Sequence, residues 1–375
     1  KFSFICIYEF IMRWVAKEKV MSSYSYRTGA SRILFGRGTF EQVPEVVEDC
    51  GAVRALVLST EFQRPMAETA VGHLGDAAAG VFSGAVMHTP TDVTDTALAY
   101  CESISADSIV SVGGGSTTGL GKALAHRTGL PHIVVPTTYA GSEVTDILGQ
   151  TEDGLKTTIR ADSILPTAVI YDPRLTDGLP LKMSIVSGLN AMAHAAEALY
   201  AQNRNPISSM LAVEGFGAMK TGLGLIFEDE RSIEGRDAAL YGAWLCGIVL
   251  GQVGMALHHK ICHTLGGSFN MPHAETQAVM LPHTIGFNSK SVPDLLAPIG
   301  DLFGKSPGAG LFGFAKNLGS PMSLKELGLS EQDLDRAAEI AAANPYWNPR
   351  QIDQTGLRAM LQDAFDGTMP PDSNS

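Results

Sequence analysis

Residues 108–125, SIVSVGGGSTTGLGKALA, read as a buried strand, a glycine turn and the start of a helix. With no Cβ at Gly113, Gly114 or Gly115, backbone amides there can approach a phosphate. Ser116 and Thr117 fall at the helix N-terminus, whose free N–H groups and dipole favour an anion. The spacing is neither GxGxxG nor a Walker motif, and a plain strand-to-helix turn would look the same.

Outward from this unit, short apolar β-branched runs alternate with helical stretches from Met21 to about Pro180. Strands are expected at 52–59, 108–112, 132–136 and 167–171, and helices at 61–74, 91–103 and 118–127. That alternation predicts a parallel sheet covered by helices. Past Pro180 the spacing is helical over 184–201, 207–225, 236–265 and 334–343, and strand runs nearly vanish. The expected organisation is an α/β nucleotide-binding domain at 21–180 and an all-helical domain at 181–375. Residues 1–20 are expected to be an appended extension of unknown role, and the tail from Asp366 to be frayed.

The chain's 375 residues suit two domains, and 45% hydrophobic with 18% charged residues excludes a disordered polypeptide. A formal net charge of −12 excludes a general nucleic-acid binder and, on charge alone, speaks against an anionic substrate. The five cysteines are scattered with no CxxC, which fits a reducing cytoplasm. The apolar opening KFSFICIYEFIMRWVAKEKV is interrupted by Glu9, Arg13, Lys17 and Glu18, so it reads as neither signal peptide nor membrane helix. No later stretch is expected to span a bilayer.

Two further features bear on a cofactor. Residues 136–145, PTTYAGSEVT, follow a buried strand at the edge where open α/β sheets gather ligands. Hydroxyls of Thr137, Thr138, Ser142 and Thr145 there suit ribose and phosphate oxygens. Ser59 and Thr60 end an earlier strand, where dinucleotide folds often place an acidic residue for the ribose 2′-hydroxyl. Neither is acidic, so discrimination between NADH and NADPH is expected to be weak. Lys156 is counted with these cofactor-binding candidates.

Five of the ten histidines lie between 258 and 283, in MALHHKICHTLGGSFNMPHAETQAVMLPH (255–283). His259 and His263 share one helix face, His273 can fold back toward it, and His194 lies on another helix, in GLNAMAHAAEAL. One helical histidine is usually structural; four that can converge suggest a site.

Together GGGS, PTT…GSEVT, GLNAMAHAAE and the histidine cluster resemble the iron-containing (group III) alcohol dehydrogenase superfamily, in family order from about Tyr26 onward. The resemblance implies a dehydroquinate synthase-like fold. In metal-using members an Asp and three His hold the ion; the matching positions here are Asn190, His194, His259 and His273, with His263 at a non-ligand position. A neutral amide replaces the carboxylate at Asn190, although three histidines can still hold zinc. The expectation is therefore a vestigial site and metal-independent chemistry.

Within the superfamily, HHKICHTLGG with PHAE and the run NPYWNPR (344–350) are most similar to the maleylacetate reductase branch. That resemblance implies NADH- or NADPH-dependent reduction of a carbon–carbon double bond in a small dicarboxylate, in bacterial aromatic catabolism, by a homodimer. On this reading His263 is the proton donor and Tyr346 its partner. Arg350 grips a carboxylate, and Lys260, His258, His194, His259, His273 and Asn190 complete the substrate pocket. A metal-dependent alcohol or polyol dehydrogenase of the same superfamily and a non-catalytic nucleotide-binding protein are the alternatives.

Overall fold

The structure is a computed structural model that describes Tyr24, Tyr26, Gly29 and residues 31–152 and 155–372. The expected extension at 1–20 lies outside the described residues. The first half runs β1 (Arg32–Phe35), α1 (Val43–Asp49), β2 (Ala55–Leu58), α2 (Arg64–Leu74), β3 (Ala78–Phe82), α3 (Thr91–Ser103), β4 (Ser108–Gly113), α4 (Gly115–Thr128) and β5 (His132–Pro136). A hairpin of β6 (Ile147–Glu152) and β7 (Leu155–Arg160) and then β8 (Ala168–Tyr171) complete it.

Six strands form one sheet in the order β1-β8-β5-β4-β2-β3, and every pairing is parallel. The central strands β2, β4 and β5 are buried along their whole length, which is why they read as continuous apolar runs. Two strands escape the sequence pattern. β1 and β3 lie at the sheet edges with half-buried residues, and so lack the fully apolar signature.

The second half is helical: α5 (Leu181–Tyr200), α6 (Pro206–Glu228), α7 (Ile233–Gln252), α8 (Leu257–Phe269), α9 (His273–Ser289), α10 (Pro293–Phe303), α11 (Pro307–Asn317), α12 (Leu334–Ala343) and α13 (Gln354–Asp366). Its main core joins α5, α6 and α7 to Val134, Tyr139, Val169 and Tyr171 of the sheet region. Arg236 of α7 is fully buried there and donates to Ser184 Oγ at 2.7 Å, Leu179 O at 3.0 Å and Glu230 O at 2.9 Å.

Three expectations change. The single helix expected at 236–265 is two helices, α7 and α8, meeting at 93°. The chain leaves helical geometry at Val253 and Ala256, and apolar spacing continues on both sides, so periodicity alone misses the break. The tail is not frayed through 372: the Ser306 amide donates to Asp372 at 3.1 Å, and Pro370 is buried. Finally, α6 has the length and apolarity of a membrane span, with mean hydropathy 1.3. One face of it packs on α5 and α7, where a Cβ on Gly222 would lie 2.5 Å from the Ala239 amide nitrogen of α7.

Candidate active site

The C-terminal ends of β4 and β5 present the two loops singled out above. Gly114 caps α4 in an extended conformation, and a Cβ on it would meet Thr138 Oγ1 at 2.9 Å. A larger residue there would push the hydroxyl loop off the glycine turn. Gly115 is exposed and Ser116 and Thr138 are half-buried, so the first turn of α4 is open to an anion. Thr117 Oγ1 is buried with no hydrogen-bond partner, a group a bound cofactor can satisfy.

Several neighbours serve the loop rather than its ligand. Thr137 Oγ1 accepts from Gln63 Nε2 at 2.6 Å. Lys122 of α4, fully buried, donates to Ser142 O at 2.6 Å, Thr145 Oγ1 at 2.9 Å and Ile147 O at 2.9 Å. Burial pushes this lysine down to about 7, against the pull of Glu143 and Asp146. Ser59 is fully buried with its hydroxyl 3.0 Å from that of Ser83, and is closed to a ribose. Thr60 is half-buried and donates to Gln63 Oε1 at 3.2 Å. Lys156 lies on β7 opposite Thr151.

The same loop reaches the histidines. Gly141 has φ of +80°, and a Cβ there would lie 3.0 Å from Gly247 Cα and 3.5 Å from His194 Nδ1. Only glycine lets the cofactor loop sit this close to α5 and α7.

Asn190, His194 and Glu197 follow one another at helical spacing on α5, all buried. Across from them, α8 presents His258, His259, Lys260 and His263. The His194 and His259 rings are 5.2 Å apart, and those of His259 and His263 6.0 Å. His263 is exposed, its Nδ1 lies 3.3 Å from Tyr346 Oη, and Lys260 Nζ sits 5.6 Å from the Tyr346 ring centre. Burial and the negative charge of Glu197 raise Tyr346, so its phenol keeps its proton at neutral pH. His273, at the first turn of α9, is exposed and adds to the field that lowers His194. Burial is the main cause of that lowering, and it keeps His194 neutral.

Two expected substrate residues are placed otherwise. His258 is fully buried and its ring nitrogens face Thr284 Oγ1 and Gln277 Oε1, so it buttresses α8 against α9. Arg350 stacks its guanidinium 3.6 Å from the Phe287 ring centre and donates to Phe287 O at 3.0 Å. It anchors the 344–350 loop, together with the Asn288–Asn348 amide pair at 2.9 and 2.7 Å.

Glu197, Lys122 and Gln63 were missed by sequence reasoning. For the first two a signal existed: each is a charge flanked by apolar residues in mid-helix, Lys122 in GLGKALA and Glu197 in HAAEALY.

The fold and this site, a six-stranded parallel sheet followed by a helical region, define a nucleotide-dependent enzyme. Residues 30–173 match iron-containing alcohol dehydrogenase, and residues 184–365 match the C-terminal region of that family. The chain belongs to the iron-containing alcohol dehydrogenase family. It is 57% identical to a maleylacetate reductase of Rhizobium sp. (strain MTP-10005), over 93% of this chain and all of that one. It is 46% identical to a maleylacetate reductase of Burkholderia cepacia, with the same coverage. The crystal structure of maleylacetate reductase from Agrobacterium tumefaciens superposes with a TM-score of 0.91 at 57% identity, covering 93% of this chain and all of that one.

The side chains present do not make a good iron site. Asn190 supplies an uncharged oxygen where a carboxylate would offset the metal's charge. Among the described residues no three His, Cys, Asp or Glu side chains are grouped to hold a metal ion.

Proposed function

We propose that the chain is a maleylacetate reductase, an NADH- or NADPH-dependent oxidoreductase acting on a CH–CH group. Its substrate, 4-oxohex-2-enedioate, is an enone carrying two carboxylates, and its product is 3-oxoadipate. The reduced nicotinamide, when bound, would supply the hydride that bonds to the carbon β to the ketone. The C=C electron pair moves onto the ketone oxygen as an enolate, which then takes a proton at the adjacent carbon. Oxidised cofactor and saturated keto acid leave.

The observation that carries this reading is the meeting of His263 with Tyr346 beside the His194–His259 pair. His263 is exposed toward solvent and can deliver the proton, while the Tyr346 phenol orients it and donates to the enolate oxygen. Lys260 supplies positive charge near the carboxylates. The N-terminal turn of α4 and the hydroxyls of Thr138 and Ser142 hold the dinucleotide, and the Gly141 approach brings that loop against His194. An enone reductase of this kind needs a hydrogen-bond donor on the ketone oxygen, and no step runs through a metal. The chain works as a homodimer in the cytoplasm, within bacterial breakdown of aromatic rings.

The test is loss of absorbance at the reduced nicotinamide band with maleylacetate as substrate. Turnover with maleylacetate and none with simple alcohols is expected. Turnover of alcohols alone overturns the reading.

A further inference from the structure

Helix α8 carries His259, Lys260 and His263, yet its own N-terminus has no side-chain cap, because Ala256 stands there. The first amides of a helix have no partner within it and must find one elsewhere. Glu197 of α5, fully buried, supplies that partner from about sixty residues away in sequence. Its Oε1 accepts from the His258 amide at 2.7 Å and its Oε2 from the Ala256 amide at 3.0 Å. The same Oε2 accepts from His259 Nδ1 at 2.7 Å. Tyr200 Oη adds a longer bond at 3.4 Å.

A carboxylate here can only accept, so the His259 proton facing it must sit on Nδ1. That leaves His259 Nε2 on the far side of the ring, buried and with no protein partner, as are Asn190 Oδ1 and His194 Nδ1. Buried polar atoms in this state call for a ligand or water to complete them. We propose that Glu197 is a positioning residue of the reductase: it caps α8 and fixes the orientation and tautomer of His259, so that Nε2 is presented to the substrate. Glu197 itself touches neither substrate nor cofactor. The inference rests on the maleylacetate reductase reading.

Glu197→Gln tests it. An amide keeps the size but presents an NH2 where an acceptor stood, so the His259 ring must turn or change tautomer. With maleylacetate, kcat should fall about 10–100-fold, the usual scale for a group orienting a site histidine. The KM for NADH should change less than about threefold, because the cofactor cradle is built by other elements.

Lost capping alone would destabilise the protein, and Ala256→Ser supplies an ordinary N-cap that can replace it. In the Ala256→Ser/Glu197→Gln double variant, recovered thermal stability with kcat still low supports the proposal. Recovered kcat overturns it, since Glu197 would then act only as a cap. A double-mutant cycle gives an independent measure. In a His259→Asn background, Glu197→Gln should cost nothing further in kcat, and a full additional loss overturns the link through His259. Wild-type protein inactive on maleylacetate would sink the parent reading, whereas an active wild type with an unchanged Glu197→Gln variant sinks this inference alone.

Discussion

Replacing Lys122 with methionine separates what the cofactor loop needs from what the fold tolerates. The ammonium is fully buried and satisfies Ser142 O and Ile147 O together with the Thr145 hydroxyl. Methionine fills similar space but leaves both carbonyls without a donor, at about 1–3 kcal/mol each. Against this stands the cost of burying the ammonium. A fall from 10.5 to about 7 corresponds to about 5 kcal/mol against the charged form at low pH. The two effects nearly cancel in global stability near pH 7. They do not cancel in the loop, because the carbonyls released belong to residues 142–147 beside the hydroxyl run. The expected result is a melting temperature within a few degrees of wild type and a KM for NADH raised about tenfold, roughly one lost hydrogen bond in the bound state.

The pH dependence provides a second readout. Above 10.5 the lysine is neutral in both folded and unfolded chains. Between 10.5 and about 7 the unfolded chain holds the proton and the folded one does not, so stability falls as pH drops through this window and levels off below it. Urea unfolding of wild type and Lys122→Met at pH 6 and pH 9 should show the gap moving about 2–3 kcal/mol toward wild type at the higher pH. A gap that does not change with pH, together with an unchanged KM for NADH, would refute the reasoning.

Three other outcomes are expected. His263→Ala should lower kcat by roughly 10²–10⁴ while NADH still binds, and Tyr346→Phe by about tenfold; an unchanged kcat in stopped-flow reduction removes either residue from the mechanism. Exhaustive chelation should leave turnover of maleylacetate intact, and loss restored by Fe²⁺ or Zn²⁺ would overturn metal-independent chemistry. Arg350→Ala should lower stability by about 1–2 kcal/mol through its stack on Phe287 and bond to Phe287 O. A raised KM for maleylacetate with no change in melting temperature would instead make Arg350 a carboxylate grip.

The interior of the sheet was legible because β4 and β5 are buried on both faces and end at glycine or proline. Edge strands β1 and β3 and the β6–β7 hairpin were not, since half-exposed residues carry no uniform apolar signal. Histidine clustering pointed to the place where α5 and α8 meet, while Tyr346 came from the family resemblance; the 344–350 loop brings it within reach of His263 across some eighty residues. It could not distinguish His258 from His259, because neighbours on a helix point about 100° apart and only packing decides which faces the pocket. Glu197 lay outside view for a related reason. Its function depends on the bend at residues 253–256, which sets the α8 N-terminus against α5, and nothing in the periodicity of either helix announces that bend.

Charge explains why Asn190 suits this chemistry. Around the pocket, Glu197 is a buried carboxylate whose own burial would raise it. Hydrogen bonding and charge from His259 and His258 outweigh that and hold it below the ordinary carboxylate range. A second carboxylate at position 190, two turns away on the same helix and with no cation between them, would face a dianionic substrate directly. Two like charges 4 Å apart near a protein surface repel by about 4 kcal/mol, roughly a thousandfold in affinity. An amide removes that repulsion and still offers hydrogen bonds. The substitution that spoils a metal site therefore also admits an anion. The net charge of −12 acts at long range and is screened within about 8–10 Å, whereas Lys260, the α4 N-terminus and the uncharged Asn190 act at contact. An acidic protein binding an anionic substrate and an anionic cofactor involves no contradiction once the pocket itself holds no unpaired carboxylate.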